Sequence, residues 1–117
     1  MKHYSEDIMK DLRLADLRLA IEEVLLEWEA VSTKKMFGSP CFLAEGKMFC
    51  LLVTKGIVIT KLDPHDRDEL SGKYQGAPFV AGNKIIQTWL RLPMEKSGDL
   101  HELLPFIRKS YEAALRQ

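Results

Sequence analysis

The sequence predicts one α+β domain in which helices flank an antiparallel sheet, and three observations carry that prediction. Residues 5–29 contain no Pro or Gly and repeat apolar residues at three- and four-residue intervals, the signature of an amphipathic helix. From Lys35 onward the apolar period shortens to that of strands, with Glu45-Gly46 and Lys55-Gly56 as turn signals. A helical stripe then returns from Asp99 to the end. At 117 residues, 46% of them hydrophobic and 29% charged, the chain can bury roughly two-thirds of its unfolded surface in one core.

The first segment reads as one long helix or two stacked ones. One set of apolar residues is Ile8, Leu12, Ala15 and Leu19, and the other is Leu17, Ile21, Val24 and Trp28. Asp11-Leu12-Arg13-Leu14-Ala15 is repeated at once as Asp16-Leu17-Arg18-Leu19-Ala20. Five residues advance a helix by about 500°, so the two copies face directions about 140° apart. The first reading is burial on more than one side within the chain's own core; the second is a surface for a second copy, giving a homodimer through the N-terminal helix. Residues 1–16 are set apart as a helical extension of a domain spanning residues 1–117.

Lys35 to Ala44, Lys47 to Val53 and Ile57 to Leu62 read as a three-stranded meander. If Glu45-Gly46 forms a two-residue turn, Cys41 stands opposite Cys50 at cross-strand disulfide distance; a three-residue loop with a bulge separates them. Two small buried hydrophobes is the first reading of this pair, and a redox pair is the second. Asp63-Pro64-His65-Asp66 has the residues of a helix start, with Asp63 as cap and Asp66 at the positive end, and that helix is expected to stop at Gly72. Residues 72–79 then read as a loop. Lys84 to Leu92 follows as a strand, with Ile85, Gln87, Trp89 and Arg91 on one face and Ile86, Thr88, Leu90 and Leu92 on the other. Ser97-Gly98-Asp99 with Glu102 resembles a capping box opening a final helix with a stripe of Leu100, Leu103, Leu104, Ile107, Tyr111 and Ala114, interrupted by Pro105.

Composition narrows the function classes. Formal net charge is zero, which gives no support to a strongly basic nucleic-acid binder. Residues 1–30 carry four Lys or Arg against eight Asp or Glu, and the remainder thirteen against nine, a difference that helix and sheet can neutralise between themselves. No apolar stretch suits a signal peptide or a membrane span, so a cytoplasmic protein with reduced thiols and no membrane association is expected. His3, His65 and His101 are scattered without a second ligand at helical spacing, so no metal is expected. The glycines sit at turns rather than in a phosphate loop, and neither Ser39 nor Cys41 has a base nearby in sequence. No cofactor and no catalytic residue is assigned. Lys34, Lys35 and Lys47, near the aromatic residues of the sheet, are the candidate contacts to a partner or to nucleic acid. Lysines at strand ends also keep sheet edges from pairing.

Thr33-Lys34-Lys35-Met36-Phe37-Gly38, then Gly46-Lys47-Met48-Phe49, then Lys61-Leu62-Asp63, resembles the signature of the TfoX N-terminal domain family over roughly residues 17–116. Ala77-Pro78-Phe79, the strand ending at Pro93 and the closing Leu-rich helix continue the same order. The resemblance implies a compact α+β fold, similar also to YjbR-like proteins, whose architecture has been compared with winged DNA-binding folds. It implies no enzymatic activity, and a role in competence regulation beside a transcription factor. Full-length regulators of that type carry a second domain, for which 117 residues leave no room. The motif residues Met36, Phe37, Gly38, Gly46, Met48 and Phe49 are expected to serve packing and turns under the helices.

The function expected is a stand-alone, non-enzymatic regulatory or interaction module with a protein partner. The alternatives are direct nucleic-acid binding through a lysine-bearing sheet, and a small-molecule binder or enzyme whose site is assembled from distant residues.

Overall fold

A computed structural model describes residues 6–36, 38–54, 56–94 and 99–117, with the side chains of 6–14 and of Asp99 outside that description. The chain runs α1 (Glu6–Leu25), β1 (Val31–Met36), β2 (Ser39–Ala44), β3 (Lys47–Val53), β4 (Gly56–Ile59), α2 (Pro64–Tyr74), β5 (Ala77–Ala81), β6 (Lys84–Leu92) and α3 (Asp99–Leu115). Six antiparallel strands form one sheet in the order β1-β2-β3-β4-β6-β5. The α+β class and the antiparallel sheet agree with the sequence reading.

Helix α1 buries Leu17, Ile21 and Leu25, one stripe at intervals of four. Ala15 and Leu19 of the other set are exposed, Leu19 by 60%, so these two are not in the chain's own core; Ile8 and Leu12 lie outside the described side chains. The helix ends four residues before Glu29. Glu27 and Trp28 donate to carbonyls three residues back and Ala30 takes a φ of 64°, reversing the chain into β1. The turn is held from α3: the Tyr111 hydroxyl donates to the Glu29 carbonyl at 2.7 Å, and Trp28, Tyr111 and Phe49 form an aromatic cluster with centroids 5.0–6.2 Å apart, Tyr111 edge-on to Phe49.

Lys35–Ala44 is not one strand. Met36 pairs with Ser39 around a two-residue turn in which Gly38 has a φ of 75°, so the meander has four strands and starts at Val31. The Glu45-Gly46 turn has two residues, both at positive φ, but the register slips by one between Phe42 and Leu43, with Phe49 the additional residue on β3. Cys41 therefore faces Leu51, and Cys50 faces Phe42.

Asp63 caps α2, its Oδ1 accepting from the Asp66 amide at 2.8 Å, which holds the Asp63 carboxyl below its ordinary range. The helix passes through Gly72 and ends at Gln75, whose left-handed backbone returns its N–H to the Ser71 carbonyl. Residues 77–81 are a strand rather than loop. Pro78 is tolerated because β5 lies at the sheet edge. Strand β6 has the bounds its alternation predicts, yet a shift between Pro78 and Phe79 leaves residues 87–89 without partners on β5. As a result Ile86 joins Trp89 on one face, while Leu90 and Leu92 stay on the other.

The faces have different cores. Leu17, Ile21, Leu25, Leu70, Leu100, Leu103 and Ile107 of the three helices cover Phe42, Phe49, Leu52, Ile57, Ile59 and Leu92. The α3 stripe is as read from its spacing, with Ser110 added at 0% exposure. Pro105 lies within α3, and residues 95–98, which hold most of the proposed capping box, are outside the described residues. On the opposite face Cys41, Leu43, Leu51, Val58 and Phe79 form a second cluster made only of strand residues. Cys41, Leu51 and Val58 are fully buried there, and the described side chains packed around the cluster, among them Met36, Met48, Val53, Ile86 and Trp89, also come from strands.

Candidate functional site

The strand-lined face opens into a groove of about 640 Å³ along one end of the sheet. Its wall includes four consecutive residues of the edge strand, Ala77 to Val80, and Ile85 of β6; the far side is Val53 and Thr54 at the end of β3 and Ser39 at the start of β2. Consecutive lining residues mean that the groove runs along the strand's edge rather than over one face. Val80 and Ile85, a cross-strand pair, are 54% and 56% exposed, so the rim presents large apolar side chains to water. Inside, Phe79 stacks on Trp89 with ring centroids 6.0 Å apart.

Arg91 supplies the only charge among the described lining residues. Its backbone pairs with Val58 and Ala77, which sets its side chain on the same face as the second cluster, half-buried. No described acidic residue pairs with it. Gln87 and Thr54 add polar groups at the lining. The local cause of this arrangement is the irregular stretch of β6 at 87–89, which re-aims Gln87 and Trp89.

A second, smaller concavity of about 330 Å³ lies between the start of α2 and the end of α3, with Asp63, Asp66, Lys109, Glu112 and Arg116 on its wall. Here charge is matched. Lys109 Nζ lies 3.1 and 3.2 Å from the two carboxylate oxygens of Asp66, which is only 5% exposed. This pair fastens α3 to the capped end of α2.

The lysines singled out from the sequence do not form one surface. Lys34 stands opposite Cys41 on the strand-lined face, Lys35 points to the other side of β1, and Lys47 donates to the backbone carbonyl of Gln117 at the end of α3. Among the motif residues, Met36 and Met48 pack against the strand-only cluster, away from the helices, while Phe49 is buried beneath them; Phe37 lies outside the described residues. Gly38 and Gly46 occupy positive-φ turn positions, as their place in the motif suggests. Cys41 and Cys50 are both free and belong to opposite faces, so the cross-strand disulfide geometry is not present. Burial raises both thiols above their ordinary range, with Lys34 opposing the shift at Cys41. Among the described residues no group of three His, Cys, Asp or Glu could hold a metal, and no helix is long and apolar enough to cross a membrane.

Arg91, Val80 and Ile85 were absent from the sequence candidates. A signal existed for the last two: apolar residues flank the turn residues Gly82-Asn83 on what must be an edge hairpin. Nothing in the spacing could show that Arg91 lines this groove.

The sequence profile of the TfoX N-terminal domain matches residues 23–114, most of the chain. The chain belongs to the TfoX N-terminal domain family. The TfoX match begins inside α1 and ends inside α3, so it takes in the whole sheet, α2, the groove and the strand-lined core, with all of the helix-side core except Leu17 and Ile21. It starts six residues later than the motif resemblance suggested. No curated protein and no solved structure gives a significant match.

Proposed function

We propose that this TfoX N-terminal domain is a non-enzymatic regulatory module that acts by engaging a protein partner, in the control of transcription or competence. The observation that carries the reading is the groove rim: Val80 and Ile85, both more than half exposed, beside an edge strand in a domain of this family. Apolar rims next to sheet edges are where partner segments gain contact area and main-chain hydrogen bonds. Direct nucleic-acid binding has less support, because Lys34 and Lys35 diverge to opposite faces of β1 and Lys47 is engaged with α3. A second copy docking along the exposed Leu19 side of α1 belongs to the same proposal; a sedimentation mass of one chain would remove it.

The test is capture from nuclease-treated lysate on the intact chain and on a Val80→Asp, Ile85→Asp variant. A saturable partner retained by the first and lost by the folded second supports the module. Capture that depends on nucleic acid and falls steeply with salt transfers the function to the lysines.

A further inference from the structure

We propose that the groove beside β5 is a binding site for a small amphipathic carboxylate, an apolar chain ending in one carboxylate held by Arg91. This goes beyond the regulatory reading and rests on the groove alone. Charge is treated differently at the two concavities described above. Asp66 has Lys109 at 3.1 Å, whereas the Arg91 side chain has no hydrogen bond or ion pair to a described residue. A guanidinium presents a planar fork matched to a carboxylate, and beside apolar side chains that half-bury it the pairing is stronger than at a fully exposed surface.

Volume and lining agree with such a ligand. About 640 Å³ falls within the range of small-molecule sites. Phe79, Val53 and Pro78 offer apolar contact for a chain, and the exposed pair Val80 and Ile85 extends that contact to the rim. Gln87 and Thr54 can complete the hydrogen bonds of a carboxylate whose first oxygen is taken by Arg91. With no acidic side chain among the described lining residues, nothing there opposes a negative charge. A cationic amphiphile would meet Arg91 with like charge, and a neutral one would leave the guanidinium unpaired.

The probes are octanoate and 1-octanol, titrated separately into the full chain and followed by amide chemical shifts. Saturable shifts centred on Phe79, Val80, Ile85 and Arg91 are expected with octanoate, at least tenfold tighter than with 1-octanol, as roughly expected for a charge-assisted pair. Arg91→Gln should weaken octanoate by about tenfold and leave 1-octanol unchanged, with Arg91→Lys between. Equal affinity for the two probes would show that the arginine only covers apolar surface with its stem, and would overturn the assignment. So would shifts centred elsewhere, an unaltered affinity in Arg91→Gln, or a dimer that Val80→Asp dissociates, which gives the groove to a second copy. The ratio of the two affinities in the unsubstituted protein decides the question even if a variant does not fold.

Discussion

The Ser110 hydroxyl donates to the carbonyl of Phe49 at 2.7 Å, joining the middle of α3 to the bulge of β3 across 61 positions of sequence. The same oxygen accepts from the Lys61 amide at 3.0 Å, and the Phe49 carbonyl also takes the Thr60 amide at 3.3 Å. A serine with no exposed surface thus satisfies backbone groups on both strands where the regular ladder ends. The hydroxyl of Thr60, bonded to the Met48 carbonyl at 3.0 Å, completes the cluster.

Ser110→Ala leaves the Lys61 amide without its partner and removes one donor from Phe49, in a site from which water is excluded. The expected loss is about 1–3 kcal/mol, the cost of stranding a buried polar group rather than the smaller net value of one hydrogen bond. Urea unfolding of the two proteins, compared at equal slope, measures it. A variant as stable as the parent would mean that the strand ends relax to bond each other.

The cysteines make a pH prediction. Each thiol is raised in the folded chain above an ordinary value of 9.0, Cys50 the more strongly, because burial penalises the thiolate. Above pH 9 the unfolded chain therefore gives up thiol protons that the folded chain keeps. Their stabilising contribution is whole below pH 9 and declines as pH rises, by up to about 1.4 kcal/mol per pH unit for each thiol. Cys50→Ala should flatten that decline in denaturant titrations at pH 8, 9 and 10. In the native protein both thiols should resist alkylation at pH 8 and react together on unfolding; rapid modification of Cys50 in the folded protein would contradict its place in the helix-side core.

Gly56 opens β4 at a φ of +138°, and a Cβ there would lie 1.9 Å from the Leu92 carbonyl oxygen on β6. Neither the backbone angle nor the strand spacing can accommodate it. Gly56→Ala should cost about 3 kcal/mol or more, whereas Gly82→Ala, at a φ of +61° with nothing within 4 Å, should cost about 1 kcal/mol. Thermal unfolding of both variants separates contact from conformational strain. Equal losses would show that β4 and β6 can part without penalty.

Much of the architecture was legible along the chain because it is locally encoded. The cap at Asp63, the β6 bounds at Lys84 and Leu92, the α3 stripe and the burial of Leu17 and Ile21 follow from spacing and residue type over a few turns or strand residues. Met36-Phe37-Gly38 followed by Gly46-Lys47-Met48-Phe49, in that order and spacing, pointed to the family. Where the reading failed, a local signal met a competing one. Pro78 argued against a strand that the edge position tolerates, Gly72 argued for a helix end that α2 does not need, and Phe37-Gly38 hid a turn inside an apolar run.

What required the folded chain was everything set by pairs distant in sequence. The slip at Phe42, the three residues of β6 without partners on β5 and the burial of Cys41 among strand residues each depend on how strands meet, and a shift of one residue changes the face of every side chain beyond it. The setting of Arg91 is of the same kind, since its lack of an acidic partner among the described residues is a property of the strands brought beside it. Periodicity carries the choice of helix, strand and buried side because those are short-range free energies; register, curvature and charge pairing are decided when the sheet closes, by contacts that no stretch of the chain contains.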